Sequence, residues 1–433
     1  MNIWNREFEC MSRPALAALQ LERLKGAVRY VYERVPYYRE SFDKIGFQPR
    51  HLQSLSDLAH LPFITKDDLR DFYPFGLFAA PQREIVRLHA SSGTTGRPVV
   101  VGYTRRDMEI WTELTARMVT LAGVTDGDTA QIAFNYGLFT GGFGLHYGLE
   151  RVGATVIPAS GGNTARQLML MRDFGTTTLI ATPGYALYLG EEAEKEGIDP
   201  SRWKLRLGLF GSEPWTEEMR AEIERRLKIT ATDNYGLTEV MGPGVSGECP
   251  CRAGMHIAED HFLVETIDSA TGRTLPPGEE GELVFTSLTK EAFPVIRFRT
   301  KDISRLDTEP CACGRTTARM RKISGRTDDM LIIRGVNVFP SQIESVLIDS
   351  DGIAPYYRID VYRRGALDDL EISVELASSD LLEPYFQLEE LSAAIQRKIF
   401  ATLALNAKIR LVQPGSLERT TGKSQRVFDH RKP

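Results

Sequence analysis

Hydrophobic and polar positions alternate in two ways along the chain. Residues 12–45 carry leucine, valine and tyrosine at spacings of two to four, which predicts helix. A long amphipathic helix is predicted from residues 103–107 to about Gly123. After it, segments of helical pattern alternate with β-rich runs at residues 128–134, 153–158, 177–182 and 205–210. This alternation predicts a parallel sheet covered by helices.

Three of the predicted strands end in unusual loops, at the sheet edge where such folds bind ligands. The first loop, residues 135–144, combines aromatic residues with four glycines, and the other two begin at Pro183 and Gly211. Aromatic rings provide flat apolar walls, and glycines leave room for a ligand against the backbone. A glycine-rich helix start packed on the sheet would explain the first loop equally well.

The later part of the chain predicts smaller units. Residues 281–286 and 293–300 are typical of strands in a small β-rich unit, and the polar stretch 324–329 is typical of a linker or hinge. A helix is predicted over residues 337–349, within a small α+β domain. The predicted fold class is therefore α/β, with a large N-terminal domain of helix-covered β-sheets, a small β-rich unit, and a small mobile α+β C-terminal domain. The predicted domain boundaries are 1–326, which would carry the candidate ligand sites, and 327–433.

A loop of hydroxyl residues and glycine lies between two strand-like segments, residues 84–89 and 99–103. It consists of Ser91, Ser92, Gly93, Thr94, Thr95 and Gly96. Glycines let backbone N–H groups turn toward an anion, and the hydroxyls add donors, so the loop suits a polyphosphate. It is not a Walker A loop, which ends in Gly-Lys-Ser/Thr and opens a helix. The structural alternative is an ordinary hairpin loop.

Two later stretches add groups that a nucleotide site needs. Tyr235, Thr238 and Glu239 offer a stacking face, a hydroxyl and a carboxylate within five residues. A carboxylate near a polyphosphate is a natural ligand of Mg²⁺, although Glu239 would also favour a helix N-terminus. Asp302 follows a predicted strand, where its carboxylate could accept both hydrogen bonds of a ribose diol.

The cysteines favour a structural zinc site. Four of the five lie in two pairs, Cys249 with Cys251 and Cys311 with Cys313, and His256 is close in sequence to the first pair. Zinc prefers tetrahedral sets of cysteine and histidine. Because the pairs have one residue between the cysteines instead of two, one cysteine is expected to be idle, and Cys251 is the candidate. Cys10 stands apart and is interpreted as a small apolar residue.

The bulk composition excludes several classes of protein. The 433 residues are 42% hydrophobic and 26% charged, with a net charge of −5, which is ordinary for a globular protein. This charge gives no general attraction to nucleic acid or acidic membranes. The sequence has no apolar run long enough to span a bilayer, and acidic residues stand near its N-terminus where a signal peptide would have an apolar core. The expectation is therefore a cytoplasmic protein. Metal binding is then favoured over disulfides.

Taken in order, these segments resemble the adenylate-forming superfamily of acyl-CoA synthetases, adenylation domains and luciferases. The matching pieces are residues 91–96, 235–239, 299–302, 325–328 and 422–423. The Cys/His set and residues 328–340 are similar to the phenylacetate–CoA ligase branch in particular. One departure is Arg97, which stands where much of the superfamily has lysine after the phosphate loop.

The resemblance implies a role for each matching position. Residues 91–96 would hold the ATP β- and γ-phosphates, Thr238 the α-phosphate and Glu239 the Mg²⁺ ion. The residues implied for adenine are Ser212, Glu213, Pro214, Asp233, Asn234, Tyr235 and Gly236, and those for ribose are Asp302 and Arg326. Asp328 would be the hinge, and Lys423 would reach into the site to catalyse adenylation. The implied zinc ligands are Cys249, His256, Cys311 and Cys313.

The acyl pocket is predicted to be a flat aromatic slot. Its proposed members are Tyr136, Phe139, Gly142, Pro183 and Gly211. Phenylacetate is the expected substrate of the branch, with a benzoate such as 2-aminobenzoate or a hydroxybenzoate as the rival. His146 is interpreted either as a contact to a ring substituent or as a structural residue.

The expected activity is that of an AMP-forming acid–thiol ligase using ATP, Mg²⁺ and CoA, with structural Zn²⁺. Two other functions stay open: an adenylating enzyme that loads a carrier protein, and a non-catalytic nucleotide-binding regulator. A regulator would not need Lys423, which argues against the second. The predicted partners are a small aromatic acid, ATP and CoA, without nucleic acid or membrane; a carrier protein and a homodimer are left open.

Overall fold

The structure, a computed structural model, describes residues 2–91, 98–329, 331–333, 336–364, 367–379, 385–403, 405–419 and 425–431. Its α-helices are α1 Arg6–Glu9, α2 Arg13–Arg34, α3 Pro36–Lys44, α4 Lys66–Asp71, α5 Arg105–Ala122, α6 Thr140–Val152, α7 Thr164–Asp173, α8 Pro183–Lys195, α9 Glu217–Leu227, α10 Pro340–Ile348 and α11 Tyr385–Leu403.

The strands follow the same chain order. They are β1 Arg87–Ala90, β2 Val100–Tyr103, β3 Thr129–Ile132, β4 Thr155–Ile157, β5 Thr178–Ala181, β6 Leu207–Gly211, β7 Thr230–Tyr235, β8 Ser246–Glu248, β9 Met255–Ile257, β10 Phe262–Ile267, β11 Thr274–Leu275, β12 Glu280–Ser287, β13 Phe298–Asp307, β14 Arg319–Met320, β15 Gly325–Arg326, β16 Leu331–Ile333, β17 Val336–Val338, β18 Ile353–Arg364, β19 Leu367–Leu376, β20 Lys408–Val412 and β21 Val427–Asp429.

The chain divides into two compact units. The first comprises Met1–Ala181, Ser201–Ser212 and Ile229–Ile323, and the second comprises Thr182–Pro200, Glu213–Lys228 and Ser324–Pro433. Helices α8 and α9 therefore belong to the second unit, together with the C-terminal part of the chain. The domain boundary between residues 326 and 327 stays a prediction.

The main sheet of the first unit confirms the predicted α/β class. Its parallel part has the order β4-β3-β5-β6-β7, and it continues antiparallel through β8, β9, β14, β13, β12, β10 and β11. Side chains of α5 and α6 bury its face. The core there includes Val119 and Leu149 from the helices and Ile132, Ile180 and Leu209 from the strands, each no more than 1% exposed. This burial fixes where the strand ends lie.

The second unit is of the α+β type. Its sheet has the order β20-β19-β18-β21, in which β18 and β19 are antiparallel. Helices α10 and α11 cover it, with Ile343, Ile395 and Ile399 packed against Ile359 and Ile372. The predicted small C-terminal α+β domain is confirmed in class, whereas its mobility stays a prediction.

Three predicted elements have different bounds in the structure. The helix over residues 12–45 is two helices, because Pro36 has no N–H to continue the first one and instead begins α3. The helix expected from Asn337 begins only at Pro340, since residues 336–338 pair as β17. The strand expected over 293–300 begins at Phe298, because Arg297 has a left-handed φ of +52°. Asp302 therefore lies inside β13 and not at a strand end.

Lys290 is a buried cation in the first unit. It is 5% exposed, and its ammonium lies 3.2 Å from the centroid of the Tyr103 ring. Burial lowers the pKa of Lys290 to about 8, because desolvation of the ammonium outweighs the attraction of the Asp107 carboxylate. The folded chain therefore releases this proton at a lower pH than the unfolded chain does.

We expect Lys290→Met to raise the free energy of unfolding below pH 8, because it removes a buried charge. Between pH 8 and the ordinary lysine pKa of 10.5, the unfolded wild-type chain binds more protons than the folded one, so wild-type stability rises with pH. The advantage of the variant should shrink over this window by up to about 3 kcal/mol. Urea unfolding at both ends of the window measures it, and an advantage that grows with pH would contradict the interpretation.

In the described ranges, no helix is both long enough and apolar enough to cross a bilayer.

Candidate active site

The loops predicted to bind ligand follow three strands of the parallel sheet. Residues 135–139 follow β3, Ser212 follows β6, and Gly236 follows β7. Parallel strands that share a sheet end at the same edge, so these segments of the first unit are presented together. Pro183, which was also assigned to the acyl pocket, is the first residue of α8 and belongs to the second unit.

The predicted ribose ligand Asp302 is held by the predicted stacking residue. The Tyr235 hydroxyl donates a 2.6 Å hydrogen bond to Asp302 Oδ2, and the Tyr235 ring stacks on Phe285 with centroids 5.9 Å apart. Asp302 is 4% exposed, so its carboxylate is oriented by protein groups before any ligand arrives. The two residues come from β13 and β7, and their contact is a product of the fold.

The segment assigned to adenine presents close-packed backbone. A Cβ on Gly211 would lie 2.4 Å from the carbonyl oxygen of Asn234, so glycine is required at this position. Ser212 has a φ of +72°, a conformation that is rare for a residue with a side chain and that clusters at functional sites. The Asn234 amide donates to the Phe210 carbonyl at 2.5 Å. Asp233 and Gly236 lie on either side of these residues at the end of β7.

The other two residues assigned to adenine, Glu213 and Pro214, lie in the second unit. There Glu213 Oε1 accepts a 2.9 Å hydrogen bond from the Gly184 N–H, beside the first residue of α8.

The carboxylate assigned to Mg²⁺ has a basic neighbour that the sequence did not indicate. Glu239 is 4% exposed, and its Oε1 lies 3.0 Å from Lys66 Nζ. Nearby, the hydroxyls of Thr238 and Thr140 approach to 3.4 Å in a buried position. Lys66 opens α4, far away in sequence, and no local pattern distinguishes it from a surface lysine. The residue assigned to Mg²⁺ is thus paired with a lysine, and the residue assigned to the α-phosphate lies beside a second hydroxyl.

The base of the phosphate loop is described only in part. Strands β1 and β2 form an antiparallel hairpin, and Ser91 closes it by donating its N–H to the Val99 carbonyl at 3.0 Å. The remaining residues assigned to phosphate, Ser92, Gly93, Thr94, Thr95 and Gly96, lie outside the described residues, as does Lys423.

His89 connects this hairpin to residues 135–139, the loop after β3, and sequence reasoning missed it. The Leu138 carbonyl accepts hydrogen bonds from the Ala90 N–H at 2.9 Å and from His89 Nδ1 at 3.0 Å. Burial lowers the pKa of His89, so its imidazole is neutral at physiological pH and donates through Nδ1. The β1–β2 hairpin and the loop after β3 are therefore connected through one carbonyl.

Of the two interpretations that the sequence left open for residues 135–144, the structure shows the glycine-rich helix start, and the role in the acyl pocket stays a prediction. Residues 135–139 are a loop, and α6 begins at Thr140. Tyr136 packs edge-on against Phe143, with centroids 5.2 Å apart. A Cβ on Gly142 would lie 3.1 Å from the Asn135 carbonyl oxygen and 3.5 Å from the Tyr136 ring, and one on Gly141 would lie 2.4 Å from the Phe139 ring. The aromatic rings thus occupy the space that the glycines leave.

Arg326 and Asp328 contact each other within the second unit. The guanidinium donates to both carboxylate oxygens, at 2.9 and 3.1 Å. The roles assigned to them, ribose binding and hinge, stay predictions.

The predicted zinc ligands come together. The ligand atoms of Cys249, His256, Cys311 and Cys313 all lie within 4.8 Å of one another, in buried positions. Cys249 and Cys311 sulfurs are 3.7 Å apart, and Cys313 Sγ lies 3.3 Å from His256 Nε2. Tetrahedral zinc with Zn–S bonds of about 2.3 Å requires sulfur separations of about 3.8 Å, so the set fits zinc. Cys251 is outside this cluster, as predicted, and only packs against it.

The surroundings of the cluster also suit a metal. His256 Nδ1 lies 3.0 Å from the Thr317 hydroxyl, and such a partner fixes the ring so that Nε2 faces the ligand set.

Comparison with known proteins places this arrangement in a family. Residues 68–289 match the AMP-binding enzyme model, and residues 335–431 match the AMP-binding enzyme C-terminal domain. The chain is 50% identical to the phenylacetate-coenzyme A ligase of Aromatoleum evansii over 426 residues, covering 98% of this chain and 96% of that one. It is also 50% identical to the Escherichia coli K12 phenylacetate-coenzyme A ligase over 98% of this chain and 97% of that one.

A solved structure agrees with these matches. The crystal structure of a 2-hydroxyisobutyryl-CoA ligase, in the postadenylation state with R3-HIB-AMP, has a TM-score of 0.93 and 30% identity, covering 99% of this chain and 92% of that one. The chain therefore belongs to the AMP-binding, adenylate-forming enzymes and, within them, to the phenylacetate–coenzyme A ligase family.

Proposed function

We propose that the chain is an ATP-dependent aryl-acid–CoA ligase with phenylacetate as its substrate. It activates the carboxylate as an acyl-AMP with release of pyrophosphate, then transfers the acyl group to CoA as a thioester. The observation that carries the proposal is the 50% identity to phenylacetate-coenzyme A ligases over 98% of this chain.

The chemistry explains why such a site needs cations more than a base. An aryl acid is already ionised at neutral pH, so its oxygen can attack the ATP α-phosphorus without a general base. The difficulty is the approach of one anion to another, and positive charge must be placed where negative charge develops. We assign this task to Lys423, with Thr238 donating a hydrogen bond to the α-phosphate and Asp302 accepting from the ribose hydroxyls.

Glu239 and the Cys/His cluster supply the metal ligands of this proposal. A buried carboxylate is the kind of oxygen donor that Mg²⁺ takes beside phosphates, and Glu239 is such a group. When bound, Mg²⁺ would neutralise phosphate charge. The zinc role of the Cys/His cluster is structural, because a tetrahedral ion with four protein ligands has no open position for substrate.

The test is aryl-acid-dependent exchange of pyrophosphate into ATP, over a panel of phenylacetates, benzoates and fatty acids, followed by addition of CoA. We expect phenylacetate to support the fastest exchange and CoA to yield phenylacetyl-CoA. The same assay with a fatty acid in place of the aryl acid serves as the control, because it requires every step of the reaction except recognition of the aryl group.

The other outcomes discriminate between the alternatives. Fastest exchange with 2-aminobenzoate or a hydroxybenzoate would replace the substrate but keep the reaction. Exchange without thioester formation would indicate a carrier-protein acceptor. No exchange with any acid would reject the enzyme and favour a nucleotide-binding regulator.

A further inference from the structure

Glu150 and His146 form a series of hydrogen bonds that ends at Tyr136, a residue predicted to line the acyl pocket. His146 Nδ1 lies 3.1 Å from the Tyr136 hydroxyl, and His146 Nε2 lies 3.0 Å from Glu150 Oε1. His146 and Glu150 are four residues apart on α6 and therefore share one helix face. These hydrogen bonds link the loop after β3 to helix α6.

The direction of each hydrogen bond follows from the chemistry of the groups. The Glu150 carboxylate can only accept, so His146 carries its proton on Nε2 and donates it there. With its proton on Nε2, the ring offers a lone pair on Nδ1, so the Tyr136 O–H is the donor of the second bond. His146 is thus used at both nitrogens by protein groups.

Packing leaves the Tyr136 ring little freedom beyond this bond. The ring meets Phe143 edge-on at 5.2 Å and would be 3.5 Å from a Cβ on Gly142, so one face is against α6. Phe143 is itself fixed by the Arg87 guanidinium, which lies 4.9 Å from its centroid and donates to the Tyr147 hydroxyl at 2.8 Å. The hydroxyl bond to His146 then selects one orientation of the Tyr136 ring.

We propose that His146 and Glu150 are positioning residues for the aryl acid: they hold the Tyr136 ring in the orientation that forms one wall of the acyl pocket. This proposal rests on the proposed aryl-CoA ligase function. His146 acts through Tyr136 and does not contact the substrate. Glu150 contributes less than His146, because its side chain is 58% exposed and exposed pairs are weak.

A double-mutant cycle tests the proposal, read as the KM for the aryl acid and, separately, for ATP. Tyr136→Phe and His146→Leu should each raise the KM for the aryl acid about fivefold to tenfold, as expected for loss of one hydrogen bond, and leave the KM for ATP unchanged. The double variant should be no worse than either single variant, because both remove the same bond. His146→Gln should stay within about twofold of wild type, since an amide also offers one acceptor and one donor.

The chain offers a matched control in its other unit. His430 Nε2 lies 2.8 Å from Asp360 Oδ1, and the ring stacks on Tyr362 with centroids 4.6 Å apart, so His430→Leu breaks a comparable cluster. It should leave the KM for the aryl acid unchanged.

The outcomes separate the two levels of the proposal. The positioning role would be overturned, with the wild-type enzyme still active, in either of two cases. In the first, the increases in the aryl-acid KM of the two single variants multiply in the double variant. In the second, the variants raise the KM for ATP as much as that for the aryl acid. No aryl-dependent exchange by the wild type would overturn the proposed function and this role with it. A His146→Gln variant as impaired as His146→Leu would also contradict it, because then the imidazole itself is required.

Discussion

Replacing Lys423 with alanine is expected to lower the rate of adenylation by about 10²–10³-fold, the cost of removing one group aimed at developing charge. In the proposed reaction, its ammonium faces the α-phosphate as the carboxylate approaches. The second step, attack of the CoA thiolate on the acyl-AMP carbonyl, needs no such cation. Thioester formation from supplied phenylacetyl-AMP should therefore be spared.

The two half-reactions are measured separately, by ATP–pyrophosphate exchange and by thioester formation from synthetic acyl-AMP. Lys398→Ala is the control, because Lys398 is also a lysine of the C-terminal part, and it pairs with Asp349 at the surface. Equal loss in both half-reactions would show that Lys423 serves the fold or both steps. If thermal unfolding shows that the variant is folded, Lys423 serves both steps, and one arrangement of the site then suffices without a hinge at Asp328.

Replacing a zinc ligand is expected to have the second large effect. Cys313→Ser should abolish zinc binding and lower the melting temperature by on the order of 10 °C, because structural zinc contributes several kcal/mol to folding. Zinc content by atomic emission and thermal unfolding measure the two effects. Cys251→Ser is the matched control and should keep both zinc and stability, since Cys251 lies outside the ligand cluster.

The destabilisation should spread to the N-terminal segment. The Thr316 hydroxyl donates to the Met11 carbonyl at 2.6 Å, and Arg315, 2% exposed, pairs with Glu9. Arg315 and Thr316 lie two and three residues after Cys313, so loss of the ligand loop should expose residues 2–11 to limited proteolysis. Equal zinc loss in the Cys251 and Cys313 variants would contradict the assigned ligand set.

Local patterns predicted most elements because their physical causes are local. Helix α5 was predicted from the period of its apolar residues, and strands β3 to β6 from short β-rich runs. Both patterns involve only residues that are close in sequence. The errors occurred where a backbone constraint competed with that pattern. Pro36 and Pro340 each begin a helix, and the left-handed Arg297 delays β13 until Phe298.

Side-chain partners across long separations were not predictable in the same way. Lys66 opposite Glu239, Tyr235 on Asp302, and the shared carbonyl of Leu138 arise from strands and loops that meet only after the sheet has formed. Sequence reasoning weighed His146 as a contact for a ring substituent; in the structure, both its nitrogens face protein partners. Rotamers and partners of this kind depend on packing, and the conformational preferences of single residues do not predict packing.

The sequence by itself therefore determined the α/β class, the identity of the metal-ligand candidates and the order of the motifs that mark the family. Each follows from local periodicity or from residue types whose chemistry is specific. Only the tertiary structure decided that Cys251 lies outside the Cys/His cluster, that a lysine faces Glu239 and that His146 lies within hydrogen-bond distance of the Tyr136 hydroxyl. The physical reason is that these facts are distances between groups on different elements, and the burial of apolar faces sets those distances.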